Sequence, residues 1–208
     1  MACNHKFRNE LYLKNLGYEP ETLIVGTFNP EWPKENYASW FYGRVDKNNL
    51  WEVLPRIYNK PSLREKDVSA WRIFCKEHKI AFTDLIECIK DADEKESDDV
   101  ELLAGYSDKA ISKGFKSFDF VDVAKILEDN TSIVYVYLTR GIGESFWKKR
   151  WKLIENYADN RKNLRIRTLL TPSGYAYYQQ GKHNRKFPND FLNLPDFILR
   201  KWKEEWHF

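Results

Sequence analysis

Apolar residues along the chain fall into short β-branched runs separated by segments with helical spacing. Residues 22–28 read TLIVGTF and stop at Asn-Pro, as a buried strand does. Residues 48–58 (NNLWEVLPRIY) predict a helix that Pro55 ends or kinks. Within 66–79, Val68, Trp71, Phe74 and Cys75 recur at helical spacing. A second strand is expected over 80–86, a helix over 117–129 and a third strand over 133–138. A basic amphipathic helix follows over 143–157, then a fourth strand over 164–170. The tail from Asp190 predicts a last helix rich in Trp and Lys.

Strands that alternate with helices imply βαβ units, hence an α/β fold: a three-layer α/β/α sandwich around a central, mainly parallel four-stranded sheet. Crossovers in such sheets are right-handed, and ligands bind outside the carboxyl ends of the strands. That rule selects the loops after Phe28, Thr83, Leu138 and Leu170. In the first, Gly26 permits a close backbone approach and Pro30 biases Asn29 to an extended conformation. An amide offers both a donor and an acceptor, so Asn29 suits holding a water or reading a base edge; a plain Asn-Pro turn accounts for the same residues. In the second loop, Thr83 and Asp84 read as a helix cap. In the fourth, Thr171-Pro172-Ser173-Gly174 reads as a turn.

Composition adds limits. A chain of 208 residues without a low-complexity linker reads as a single domain over 1–208. Aromatics are high at 16%, with eight Trp, and core packing is their first use. The net charge of +3 is small, but residues 140–167 are rich in Lys and Arg while 91–101 are acidic. The local basic excess is weak support for a phosphate partner. Three widely spaced cysteines, with no CxxC, point to a reducing compartment and away from a disulfide framework. With four dispersed histidines and no Cys/His cluster, no metal is expected. No signal peptide or membrane span is expected, and the location expected is cytoplasmic.

Taken in order, four segments form a set: Gly26-Thr27-Phe28-Asn29-Pro30; Trp40-Phe41-Tyr42-Gly43 with Asn48-Asn49-Leu50-Trp51; Thr83-Asp84-Leu85; and Thr171-Pro172-Ser173-Gly174. From about Leu23 to Gly174 the chain resembles the uracil-DNA glycosylase superfamily, most closely its mismatch-specific uracil/thymine-DNA glycosylase branch. That branch has Gly-Ile-Asn-Pro-Gly, an aromatic before Asn-Arg-Phe-Trp, Thr-Asp-Leu and Asn-Pro-Ser-Gly. Here the first motif has one more residue between Gly and Asn, and Glu31 stands where Gly follows Pro.

The resemblance implies roles position by position. Asn29 matches the residue that orients the attacking water, with Gly26, Thr27 and Phe28 around the base. Tyr42, or Phe41 beside it, matches the aromatic that stacks on the extruded base, and Asn48 supports the pocket wall. Ser173 and Gly174, within Thr171–Gly174, match the loop that presses into the duplex. Tyr175, Lys182, Arg185 and Lys186 follow as candidates to fill the gap and hold phosphates. The implied chemistry is hydrolysis of an N-glycosidic bond in DNA by a monofunctional, monomeric enzyme with no cofactor; no lysine stands out as a Schiff-base nucleophile. Glu31 could activate water or repel phosphate, and Asp46 reads as loop surface. Two rivals fit the same loops: a catalytically inactive nucleic-acid-binding module of the same fold, and an α/β protein for free nucleotides, which predicts no salt-dependent affinity for DNA.

Overall fold

The computed structural model describes residues 1–34, 36–188, 190–191 and 193–207. A two-residue strand, β1 (Cys3–Asn4), comes first, then β2 (Thr22–Gly26), α1 (Leu50–Ile57), α2 (Val68–Glu77), β3 (Ile80–Asp84) and β4 (Ile86–Ile89). Next come α3 (Ser97–Ala104), α4 (Asp108–Gly114), β5 (Phe118–Phe120), α5 (Val123–Asp129) and β6 (Tyr135–Leu138). The chain ends with α6 (Ser145–Asp159), β7 (Arg165–Thr168), α7 (Tyr175–Asn184) and α8 (Leu194–Glu205).

The central sheet has the order β3-β2-β6-β7 and every pair is parallel. From β2 the chain steps one way to β3, then back across β2 to β6 and on to β7. Right-handed crossovers therefore send α1 and α2 to one face and α5 and α6 to the other. The packing agrees: α8 lies against α1, and α5 lies against α6. Every residue of β2 and β3 is buried, as expected of strands covered on both faces. The register pairs Gly26 with Asp84 and Val25 with Leu138, so three strands end along one edge.

Packing accounts for most of the aromatic excess. Trp40, Trp51 and Trp71 stack in series, the last pair 4.7 Å apart. Trp51, Trp147, Trp151 and Trp202 are all buried. Two of these indoles find acceptors: Trp51 Nε1 donates to the Phe41 carbonyl and Trp202 Nε1 to that of Leu170. Pro55 lies inside α1 rather than ending it. The carbonyl that its missing N–H would have served, that of Trp51, accepts from the Leu63 N–H at 2.9 Å instead.

A second sheet, β1-β4-β5, is antiparallel and was not expected from the sequence. Its members are too short for a two-residue period to stand out. Only Leu85 separates β3 from β4, so one extended run serves both sheets. Residues 118–120 are strand, and the helix expected over 117–129 begins only at Val123, where Asp122 caps it by accepting from the Lys125 N–H at 3.0 Å. This sheet carries the N-terminal segment to the strand ends. His5 N–H donates to the Glu87 carbonyl, and Lys6 N–H to the Asn29 carbonyl, both at 2.8 Å.

Candidate active site at the strand ends

Asp84, the last residue of β3, is 1% exposed. It caps no helix, contrary to the reading of Thr83-Asp84; the chain continues directly into β4. A buried carboxylate needs donors. Its Oδ2 accepts from His5 Nε2 at 2.7 Å and from Asn29 Nδ2 at 2.8 Å. Gly26 makes room for this on the neighbouring strand. A Cβ there would lie 2.1 Å from Asp84 Oδ1 and 2.8 Å from the Tyr42 hydroxyl.

The two donors are fixed by elementary hydrogen-bond arithmetic. A carboxylate only accepts, so the Asn29 amide must turn its nitrogen inward. Its carbonyl oxygen then has no partner among the described residues. His5 is 2% exposed, and its Nδ1 accepts from the Phe7 N–H at 2.9 Å. Nδ1 thus carries a lone pair and the ring hydrogen sits on Nε2, facing Asp84.

Tyr42 reaches the same place through a tight turn. Gly43 N–H donates to the Trp40 carbonyl at 2.9 Å, and a Cβ on Gly43 would lie 2.8 Å from that oxygen. The turn puts Tyr42 at φ 56°, a left-handed conformation that costs a non-glycine residue of order 1 kcal/mol. Phe41 consequently points into the core among His5, Phe7 and Phe82. Tyr42 Oη lies 2.6 Å from Thr139 Oγ1, just past β6. Burial, and then the Asp84 charge, hold the Tyr42 phenol well above its ordinary range.

A second carboxyl faces the first loop. Thr27 Oγ1 donates to Asp108 Oδ1 at 2.6 Å, and Arg140 Nη1 lies 3.2 Å from Asp108 Oδ2. Burial pushes the Asp108 carboxyl up, Arg140 and Thr27 pull the other way, and Asp84 adds to the push. Its side chain keeps 32% of its surface open, so this acid sits in a cleft, not in the core.

The expected site residues separate into groups. Gly26, Thr27, Asn29 and Tyr42 converge on the carboxylates. Phe28 is buried, its ring 5.8 Å from that of His5. Phe41 is 1% exposed and has no face left for a base. Asn48 accepts the Leu50 N–H at the start of α1. Its neighbour Asn49 ties α1 to the late loop, donating to the Pro172 carbonyl from its backbone N–H at 2.7 Å and from Nδ2 at 3.1 Å. In that loop Thr171 and Ser173 hydroxyls pair at 2.9 Å and Gly174 opens α7. The segment with Lys182, Arg185 and Lys186 is the end of α7 and the turn beyond it. Lys182 lies about 10 Å from Tyr175 along the helix axis at 1.5 Å per residue. Asp46 is an exposed loop residue bonded to Tyr37, and exposed Glu31 receives Asn4 Nδ2 at 3.2 Å.

His5, Asp108, Thr139 and Arg140 went unread as site residues. His5 stands 79 positions from Asp84, and no local spacing reports such a pair. No group of three or more His, Cys, Asp or Glu side chains among the described residues could hold a metal. No helix among them is long and apolar enough to cross a membrane.

No known family model and no curated protein matches the chain. Among solved structures it is similar to the solution NMR structure of a candidate uracil DNA glycosylase from Methanosarcina acetivorans. The TM-score is 0.52, the identity 12%, and the match covers 91% of this chain and 92% of that one. The fold is uracil-DNA-glycosylase-like. At this identity the likeness concerns architecture alone.

Proposed function

We propose that this protein is a monofunctional DNA glycosylase of the mismatch-specific kind, hydrolysing the N-glycosidic bond of uracil or a related deaminated or mismatched base flipped out of DNA. The observation that carries the proposal is Asn29: a half-buried amide just past the carboxyl end of β2, its nitrogen held by Asp84 and its oxygen without a partner among the described residues. Such an oxygen accepts a hydrogen bond from a water and aims it at C1′. An amide is no base, so its contribution is positioning. Backbone N–H groups around residues 27–29 would stabilise the departing base anion, as in an oxyanion hole. Tyr42, beside the carboxylates, is the aromatic that would meet an extruded base. The loop 171–174, anchored by Asn49, would press into the duplex, with Tyr175, Lys182, Arg185 and Lys186 on DNA. Bond hydrolysis by this route needs no metal or cofactor.

The test is a cleavage assay. Duplex oligonucleotides carrying uracil, hypoxanthine, xanthine or a G·T mismatch are incubated with the wild type and with Asn29→Ala, then treated with alkali to break abasic sites. Strand breaks by the wild type, reduced on the order of 10²-fold or more in the variant, are expected. No breaks with any of the four, together with retained salt-sensitive DNA binding, would establish a binding module in place of an enzyme.

A further inference from the structure

The residues behind Asn29 do more than fill space. His5 comes from the N-terminal segment, Asp84 from the end of β3 and Asn29 from the loop after β2. Three separate parts of the chain therefore converge on one hydrogen-bonded line. Its members run from the Phe7 N–H to His5 Nδ1 (2.9 Å), from His5 Nε2 to Asp84 Oδ2 (2.7 Å), and from Asn29 Nδ2 to the same oxygen (2.8 Å). We propose that His5 and Asp84 are positioning residues for hydrolysis: together they hold the Asn29 amide in the one orientation that offers its carbonyl oxygen to the attacking water.

The proposal rests on the glycosylase reading and deepens it. Without an acceptor behind it, the Asn29 amide can rotate by half a turn and present N–H groups, which cannot accept from water. Asp84 removes that choice because a carboxylate cannot donate. Asp84 in turn must not rotate. The His5 N–H satisfies it at 0% and 2% side-chain exposure of the two partners, where no solvent could substitute. The Phe7 backbone completes the chain by fixing which ring nitrogen bears hydrogen. The backbone is locked as well: Lys6 N–H holds the Asn29 carbonyl, and residues 4 and 31 pair beside it. In the reaction, the water oxygen bonds to C1′ while the C1′–N bond breaks and its electron pair leaves on the base. Of the two water hydrogens, one remains on the sugar hydroxyl and the other ends on the base.

Four proteins test this: wild type, Asp84→Asn, His5→Phe and His5→Gln. Each is assayed in single turnover on the same four oligonucleotides, with DNA affinity measured alongside. Asp84→Asn and His5→Phe should lower the excision rate on the order of 10²-fold, with DNA affinity changed by about twofold or less. His5→Gln keeps a donor toward Asp84 and should recover most of the loss, which a packing role for the ring would not allow. ¹⁵N NMR of the wild type should show His5 hydrogen on Nε2 and not on Nδ1, a readout independent of whether any variant folds. Equal excision by wild type, Asp84→Asn and His5→Phe, or hydrogen on Nδ1, overturns the proposal and leaves the glycosylase standing. Failure of the wild type on all four substrates overturns the glycosylase reading, and the positioning role falls with it.

Discussion

Thr27 and Asn29 are held by partners inside the protein, with the Asn29 side-chain oxygen left over among the described residues, whereas residues 171–187 turn four large rings and three cations outward. In the first segment Thr27 is bonded to Asp108, the Asn29 side-chain nitrogen to Asp84 and the Asn29 backbone carbonyl to the Lys6 N–H. In the second, Tyr175, Tyr177, Tyr178 and Phe187 are 56%, 66%, 61% and 57% exposed. Lys182, Arg185 and Lys186 form no ion pair with a described residue. The helix beneath is nonetheless fixed from behind: Gln180 and Asn184 both donate to the Phe191 carbonyl, and His183 lies 2.7 Å from Asp190. The difference is what the proposed glycosylase requires: placing one water needs internal partners, and meeting a DNA strand needs unmet groups on a rigid backing.

The sharpest way to break the first region is Gly26→Ala. The added methyl would lie 2.1 Å from Asp84 Oδ1, and Asp84 cannot swing aside without abandoning His5 and Asn29. The expected cost is about 2–3 kcal/mol of stability, read as a lowered denaturation midpoint, with excision falling alongside. A variant as stable and active as the wild type would show the strand ends to be loosely packed.

The contrast between the two regions also explains what the sequence disclosed. The parallel sheet was legible because its strands are continuous apolar runs such as Leu23, Ile24 and Val25, all fully buried. The first-motif loop was legible because Gly and Asn-Pro punctuate the chain locally. His5, Asp84 and Asp108 were not read correctly, since their meaning lies in partners 79, 55 and 81 residues away. The antiparallel β1-β4-β5 sheet escaped for the same reason: strands of two to four residues carry too little periodicity, and long-range pairing alone makes them strands. On α7, Tyr175, Tyr178 and Lys182 fall on one helical face, but a polar helix without an apolar stripe reads as a loop.

The exposed region should answer differently to substitution. Tyr175→Ala with Tyr178→Ala should weaken DNA binding by about 1–3 kcal/mol for each base that stacks on a ring. The midpoint of unfolding should move little, because both side chains are already open to solvent. Replacing Lys182, Arg185 and Lys186 by Gln should act more gently at moderate ionic strength. It should reduce the steepness with which affinity falls with salt by about 0.9 for each duplex phosphate that is no longer neutralised. Unchanged affinity and slope in both variants would remove α7 from the proposed DNA-binding surface.

The smallest effect is expected at Asp108, which faces the first region through Thr27. Burial raises its carboxyl above the ordinary 3.8, so the folded protein binds this proton more tightly than the unfolded chain. Stability from this group is therefore fully present below 3.8 and is lost as pH rises through the folded value. Asp108→Asn keeps an acceptor for the Thr27 hydroxyl but cannot titrate. The Tm of the wild type relative to Asp108→Asn should accordingly rise as pH is lowered from neutral toward 3.8. The opposite slope would mean that Arg140, 3.2 Å away, outweighs burial and holds Asp108 as a firmly ionised partner. Asp108 would then be an electrostatic strut for Arg140 and not a carboxyl free to exchange a proton beside Thr27.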